Sequence, residues 1–235
     1  MPKFLTMSVS GPSTTPILTA FDHRRSCYNL SNESTIPEGE LVQLIKDCLN
    51  VVPSAFNTQT TRLVLLTGEH HTKLWEITGN ALRQKIGEER YAAGTEARIK
   101  SFAAAHGSII FADDPKAVEG LKVRGGDLYG PKVRQCYVEL EAQYRTDPSQ
   151  AEEWTHQANG MHQYFMWTAL ESYLDMGVNL QHYNPLIDTE VIKEWGLPEH
   201  WVLKAQMVFG KVKDGATLGE RVARRPAEER MMTFQ

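Results

Sequence analysis

Between Thr155 and Met176 the chain offers a helix with little polar surface. Trp154, Met161, Phe165, Trp167, Leu170, Tyr173 and Leu174 spread around its circumference rather than along one stripe. A helix that is apolar on most sides is buried on most sides. The segment therefore asks for a second layer, or a second subunit, on its far face. Gly177 is placed to end it as a C-terminal glycine.

The rest of the chain must supply those neighbours. Residues 1–20 read as a loosely ordered arm, followed by a single domain over 21–235. From Thr35 the pattern is helical, with Leu41, Leu44, Ile45, Cys48 and Leu49 on one face and Thr35 and Glu38 as a capping box. Pro53 breaks this helix, and Ser54, Asn57, Thr58 and Gln59 follow in a polar loop. "RLVLLTG" (Arg62 to Gly68), "SIIFADD" (Ser108 to Asp114) and "KAQMVFG" (Lys204 to Gly210) read as buried strands. Glu69 to about Ala105 is helical with a break near Gly94. Residues 113–153 turn polar and irregular, as a lid or insertion would. "NLQHYNPLID" reads as a polar loop, "TEVIKEWG" as a short helix, and the segment from Lys211 onward as a basic extended tail. Helices outnumber strands and the strands are buried and widely separated, which is an α+β or three-layer α/β pattern.

Several functions are disfavoured. The net charge is −4, so no global basic field draws the chain onto nucleic acid or an anionic membrane surface. No apolar run of about 18 residues occurs, and no membrane span is expected. Cys27, Cys48 and Cys136 are far apart and odd in number, which points to reduced thiols in a cytoplasmic protein. There is no GxSxG elbow and no GxGxxG turn. His70, His71, His156 and His162 lack metalloprotease spacing, so no metal site is expected and they read as surface or packing histidines.

What remains is a set of polar clusters. Arg24, Arg25 and Ser26 could hold a phosphate through guanidinium forks and a hydroxyl, or could be a solvated pair. Ser54, Asn57 and Gln59 could read the edge of a planar heterocycle, or could be ordinary turn chemistry. Asn179, Gln181, His182 and Asn184 follow the apolar helix. Arg221, Arg224 and Arg225 lie in the tail.

Together, "RRS", "PSAFNTQTTRLVLL" and "WTALESYLDMGVNLQHYNPLID" followed by "WGLPEHWVLKAQMVFG" resemble the nitroreductase family of FMN-dependent oxidoreductases, in its small fungal and bacterial branch. The resemblance runs from Asp22 to about Arg230. It implies an α+β fold, a three-layer α/β/α sandwich with a central mixed sheet. It also implies an intertwined homodimer with FMN at the interface. By resemblance Arg24 and Ser26 match phosphate-binding positions, with Arg25 their neighbour, and Arg224 matches a second phosphate ligand. Ser54, Asn57 and Gln59 match a loop that reaches the flavin across the interface. Gln181, His182 and Asn184 match the backbone near flavin N5.

The implied activity is ping-pong hydride transfer from NAD(P)H through the flavin to nitroaromatic, quinone or similar electron-poor small molecules. The flavin carries the chemistry, so no catalytic side chain is required. Tyr28 departs from the family, which often has a cation there. The polar stretch before the long helix looks longer than in relatives. It motivates two alternatives: a flavin-dependent biosynthetic oxidase or dehydrogenase, and a flavin-binding regulatory protein without turnover.

Overall fold

The computed structural model describes residues 15–118 and 148–234. Helix α1 spans Thr15–His23, α2 Glu38–Val51, and a 3-10 turn covers Ala55–Asn57 before strand β1, Thr61–Thr67. Then come α3 (Gly68–Ile86), the single turn α4 (Glu88–Arg90), a wide turn Tyr91–Thr95, α5 (Glu96–Ala103) and β2 (Gly107–Asp113). The second half holds α6 (Pro148–Leu174), β3 (Met176–Gln181), α7 (Asp188–Trp195) and β4 (Val202–Lys211).

The four strands form one sheet in the order β1-β2-β4-β3. Its ladders are antiparallel, and the parallel component is a single bridge from Ser26 to Val178. Side chains of a strand alternate between faces, so a central strand feeds two cores. On β2, Ile109 and Phe111 pack with Leu41 and Ile45 of α2 and Met166 and Leu170 of α6. Ile110 and Ala112 face the other way, onto Trp75 of α3, Phe102 of α5 and Val191 of α7. Helices thus cover both faces. Each fully buried Leu, Ile or Phe side chain here contributes about 1.5–3 kcal/mol. A register shift at Phe111 and Ala112 sends both Leu203 and Ala205 of β4 to opposite cores despite their even spacing.

Several local expectations need correction. Residues 15–20 of the expected arm belong to a helix, Thr15–His23, which meets α6 through Phe21 and Tyr164, at 5.4 Å between ring centroids, and through the Ser172 hydroxyl, which donates to the Ala20 carbonyl. The capping box does not form. Pro37 precedes α2, the Thr35 hydroxyl donates to the Leu174 carbonyl at 2.6 Å, and the Glu38 carboxylate accepts from Thr67. The helical stretch after β1 breaks first at Gly87 (φ 85°), with Gly94 marking a second irregularity. Helix α6 ends at Leu174, and Asp175 rather than Gly177 takes the left-handed turn, at φ 53°. "NLQ" is the end of strand β3 and not loop. Its Asn179 is buried and donates from Nδ2 to the Cys27 carbonyl at 2.8 Å, which satisfies a polar side chain inside the sheet layer. Residues 119–147, most of the expected insertion and Cys136 with it, lie outside the described residues.

One buried contact ties α3 to the sheet. His71, 1% exposed, has Nδ1 3.0 Å from Ser108 Oγ and Nε2 3.0 Å from the Phe102 carbonyl. Trp75 Nε1–H donates to the same hydroxyl at 3.1 Å. The chain closes when Nε2–H donates to the carbonyl and Nδ1 accepts from Ser108, which requires a neutral ring. Burial accordingly pushes His71 down to about 4.

Candidate functional site

The segment after α1 is laid along the β3–β4 end of the sheet. The Cys27 N–H donates to the Val178 carbonyl at 2.8 Å, and Ser31 N–H to the Lys211 carbonyl at 2.9 Å. Lys211 and Lys213 N–H groups return bonds to the Glu33 and Asn29 carbonyls. Glycine makes this approach possible. Gly177 and Gly210 pair across β3 and β4, and a Cβ on Gly210 would lie 2.5 Å from the Ser31 carbonyl oxygen.

The chain reaches this seat carrying Arg24, Arg25 and Ser26. The Arg24 guanidinium stands 4.4 Å over the Trp167 ring and 6.0 Å from that of Tyr164. Arg25 donates its side-chain N–H to the Gly219 carbonyl at 2.6 Å, and its backbone N–H to Glu171 Oε2 at 2.8 Å. Ser26 is exposed beside Val178. Tyr28, where a cation is expected by resemblance, is half exposed with its ring 6.4 Å from Phe102.

The tail is fastened to the same place. Arg221 pairs with Asp22 at 2.6 Å and also bonds the Asp22 carbonyl, while Gly219 receives Arg25. Arg224 and Arg225 are exposed a few residues further on. Arg224 follows three residues after Arg221, the residue that fastens the tail to Asp22.

Gln181, His182 and Asn184 follow on the same edge. Gln181 Nε2–H donates to Asn179 Oδ1 at 2.8 Å, and Asn179 is the residue bound to Cys27. Asn184 accepts from the buried Gln206 Nε2–H at 2.7 Å, and Gln206 Oε1 accepts from the Tyr183 N–H. His182 is exposed. One amide relay therefore links the arginine segment to the "NLQHYNP" segment.

Ser54, Asn57 and Gln59 sit elsewhere. They lead into β1, the opposite edge of the sheet. Ser54 Oγ accepts from the Gln59 N–H at 2.9 Å, and Gln59 Nε2–H donates to Asn57 Oδ1 at 3.0 Å. Asn57 and Gln59 hold left-handed backbone at φ 54° and 52°, which a non-glycine residue adopts at some strain. With Thr61, Arg62, Leu63, His162 and the end of α2 they line a 390 Å³ groove, and the Thr61 hydroxyl is buried there without a hydrogen-bond partner. Arg62 closes the floor, donating to the Gln59 carbonyl and pairing with Asp114 at 2.7 Å. Two strands separate β1 from β3, about 14 Å of sheet. One chain brings together the first and third clusters and leaves the second apart.

Sequence reasoning missed Glu171, which is 6% exposed within the apolar helix. Its signal was a lone acid in "WTALESYL", four residues after Trp167, whose Nε1–H donates to Glu171 Oε1 at 2.9 Å. The histidines have local partners. His70 accepts from Trp195, His156 lies 2.6 Å from Lys204 Nζ, and His162 Nδ1 meets the Ala158 carbonyl. No cluster of three metal-ligating side chains occurs among the described residues. No helix among them is long and apolar enough to cross a membrane.

An antiparallel sheet between two helical layers, with polar clusters on its opposite edges, defines a two-sided α+β fold. The chain belongs to the nitroreductase family, whose profile matches residues 22–211. It is 32% identical to HBN1 of Saccharomyces cerevisiae, over 80% of this chain and 83% of that one. Nitroreductase CinD from Lactococcus lactis, solved with chloramphenicol, superposes with a TM-score of 0.73 at 34% identity, covering 93% of this chain and all of CinD. CinD has also been solved with nicotinic acid and with 4-nitrophenol. A protein from Desulfovibrio desulfuricans solved in complex with FMN matches 94% of this chain and 98% of its own, with a TM-score of 0.59. At 18% identity that likeness bears on the fold.

Proposed function

We propose that the chain is an FMN-dependent NAD(P)H oxidoreductase acting on flat, electron-poor small molecules as a homodimer with two composite sites. The observation that carries this reading is the split of the polar clusters between opposite sheet edges. A ligand that needs all of them needs one edge from each of two chains. The exterior supports the same pairing. Ile17 and Leu18 of α1 and Met161, Phe165 and Tyr173 of α6 remain exposed, a large apolar face for a lone chain.

The residues present fit FMN. Among the described residues no acceptor atom engages the Arg24 guanidinium, which meets only aromatic faces, so its N–H donors are free for a phosphate. Ser26 adds an exposed hydroxyl next to it. Arg25, held by the tail carbonyl, fixes the segment, and Arg224 adds a second cation from the tail. Gln181, His182 and Asn184, on a segment braced by Asn179 and Gln206, would hold the flavin through their backbone. In the proposed dimer, Asn57 and Gln59 would supply side-chain amides to the flavin held by the other chain. FMN, when bound, would supply two-electron redox chemistry, with NAD(P)H as the donor and a nitroaromatic or quinone as the acceptor in a ping-pong cycle. The chain's own residues bind, orient and shape the pocket, and no acid or base is assigned. The compounds bound in the CinD structures, a nitrophenol among them, favour planar acceptors here.

The test is spectroscopic. Purified protein supplied with FMN should show bound-flavin absorbance that bleaches anaerobically on adding NADH or NADPH and returns with an electron-poor acceptor. Protein that takes up no FMN would end this reading. Arg24→Ala should weaken FMN binding about tenfold, since a charge-assisted phosphate contact contributes about 1.5 kcal/mol or more. Riboflavin, which lacks the phosphate, should bind the variant and the parent alike.

A further inference from the structure

Glu171 has no part in the reading above, yet it lies directly beneath the arginine segment. Its neighbours on the inner face of α6, Met166, Leu170 and Leu174, are apolar and buried. Its two oxygens have separate partners. Oε2 accepts the Arg25 backbone N–H at 2.8 Å and Oε1 accepts the Trp167 indole N–H at 2.9 Å. Trp167 is in turn the platform on which Arg24 rests. One carboxyl group thus fixes both the backbone that carries the cluster and the ring that parks its first guanidinium.

The charged surroundings are unusual for a buried acid. Arg24 and Arg25 both act on the carboxylate from the segment above it, but neither makes an ion pair with it among the described contacts. Arg24 is held by aromatic rings and Arg25 by the Gly219 carbonyl of the tail. The Cys27 thiol faces it from the same segment and is raised by burial and, to a smaller degree, by the Glu171 charge. Burial is the main influence on the carboxyl and pushes it up to about 7, against the lowering effect of its two N–H donors and the two arginines.

A phosphate monoester on Arg24 and Ser26 would place a second anion over this buried one. Like charges repel more strongly where one of them is buried, as Glu171 is, and a proton on one of them relieves the conflict. A protonated carboxyl still accepts hydrogen bonds and gains a donor. We propose that Glu171 is the positioning residue of the phosphate end, and that it takes up a proton when a phosphate monoester binds there. The proposal rests on the FMN reading of this segment.

FMN-free protein would be titrated with FMN and with riboflavin from pH 6 to pH 8.5, for the parent and for Glu171→Gln. The ratio of the parent's FMN Kd to that of the variant should rise about tenfold across this range, as the parent must increasingly recruit a proton. Riboflavin should show no such divergence. Parallel pH profiles for the two proteins, or an equal loss of FMN and riboflavin in Glu171→Gln, would overturn the proposal while leaving the phosphate site intact. Equal affinity of the parent for FMN and riboflavin would remove the phosphate reading itself, and the proposal with it. A second measurement needs no variant. Calorimetry of FMN binding at pH 7.5, in buffers of differing ionisation enthalpy, should register uptake of about half a proton, because the phosphate is already largely dianionic there. No uptake, or release, would overturn the proposal.

Discussion

Gly210→Ala is expected to destabilise the protein by about 3 kcal/mol or more, lowering Tm by about 6–12 °C, and to lose flavin binding with it. The added Cβ would meet the Ser31 carbonyl oxygen at 2.5 Å and the His106 nitrogen at 3.0 Å. Both are backbone atoms, and both are engaged nearby. Ser31 N–H donates to Lys211, and His106 N–H to the Phe209 carbonyl. Neither can yield without breaking a ladder, so the segment from Cys27 to Glu33 must lift from the sheet. That segment is what seats Arg24 and Ser26. Gly39→Ala is the control. Gly39 lies in α2 with nothing within 4 Å of an added Cβ, so the same substitution there should be neutral or mildly stabilising. Thermal and denaturant unfolding of the two variants checks the contrast.

The second large effect is with pH. His71 is held at about 4 in the fold against an ordinary value of 6.5. Below pH 6.5 the unfolded chain binds a proton at this position that the folded chain refuses. The stability contributed by the neutral ring is therefore complete above pH 6.5 and is lost as pH falls through 4, by about 3 kcal/mol. Glu171 has the opposite sense. Its carboxyl is raised from 4.5 to about 7, so the folded chain binds the extra proton and stability declines as pH rises through that window. The two slopes oppose each other between about pH 4.5 and 6.5, and the parent's profile should be flatter there than either group alone would make it. Measuring unfolding free energy against pH separates them. The parent's advantage over His71→Gln should shrink by about 3 kcal/mol from pH 7 to pH 4. The gain from Glu171→Gln should instead grow as pH rises from 5 to 8. A constant difference between parent and His71→Gln would mean that the ring accepts a proton inside the fold.

The strands that read clearly in the sequence were those whose residues are apolar on both faces. β2 and β4 sit in the middle of the sheet with a core on each side, and the edge strand β1 likewise sends Val64 and Leu66 to one core and Leu63 and Leu65 to the other. β3 was concealed because Asn179 and Gln181 are polar. The carbonyl of Cys27, far away in the chain, and the Gln181 side chain satisfy the buried asparagine there. The capping box failed for a related reason. Thr35 and Glu38 have the right spacing, but Leu174 and Thr67 are better placed to use their polar atoms than the start of α2 is. The apolar helix was legible, as was its need for a second layer, because circumferential apolarity is a local property. Its terminus was not, since Asp175 adopts the left-handed turn expected of glycine.

The candidate site was legible mainly through resemblance. Nothing local says that Arg24 rests on Trp167 or that the tail returns to Asp22 and Arg25. The separation of Ser54, Asn57 and Gln59 from the arginines is a matter of strand order, which composition does not encode. Glu171 stayed hidden because a single acid in a helix is usually a solvated one, and only its neighbours make it a buried one.

In the proposed dimer the flavin site is assembled from two chains, the β3 edge of one and the β1 edge of the other. Arg24→Ala and Asn57→Ala chains carrying different tags can be co-expressed and the doubly tagged species isolated. In such a pair one site carries both lesions and the other carries neither. This heterodimer should regain one tight FMN site per two chains, with parent-like affinity, while each variant alone binds weakly. A doubly tagged species whose FMN binding is no better than that of either variant, or a failure of the two chains to associate, would contradict it.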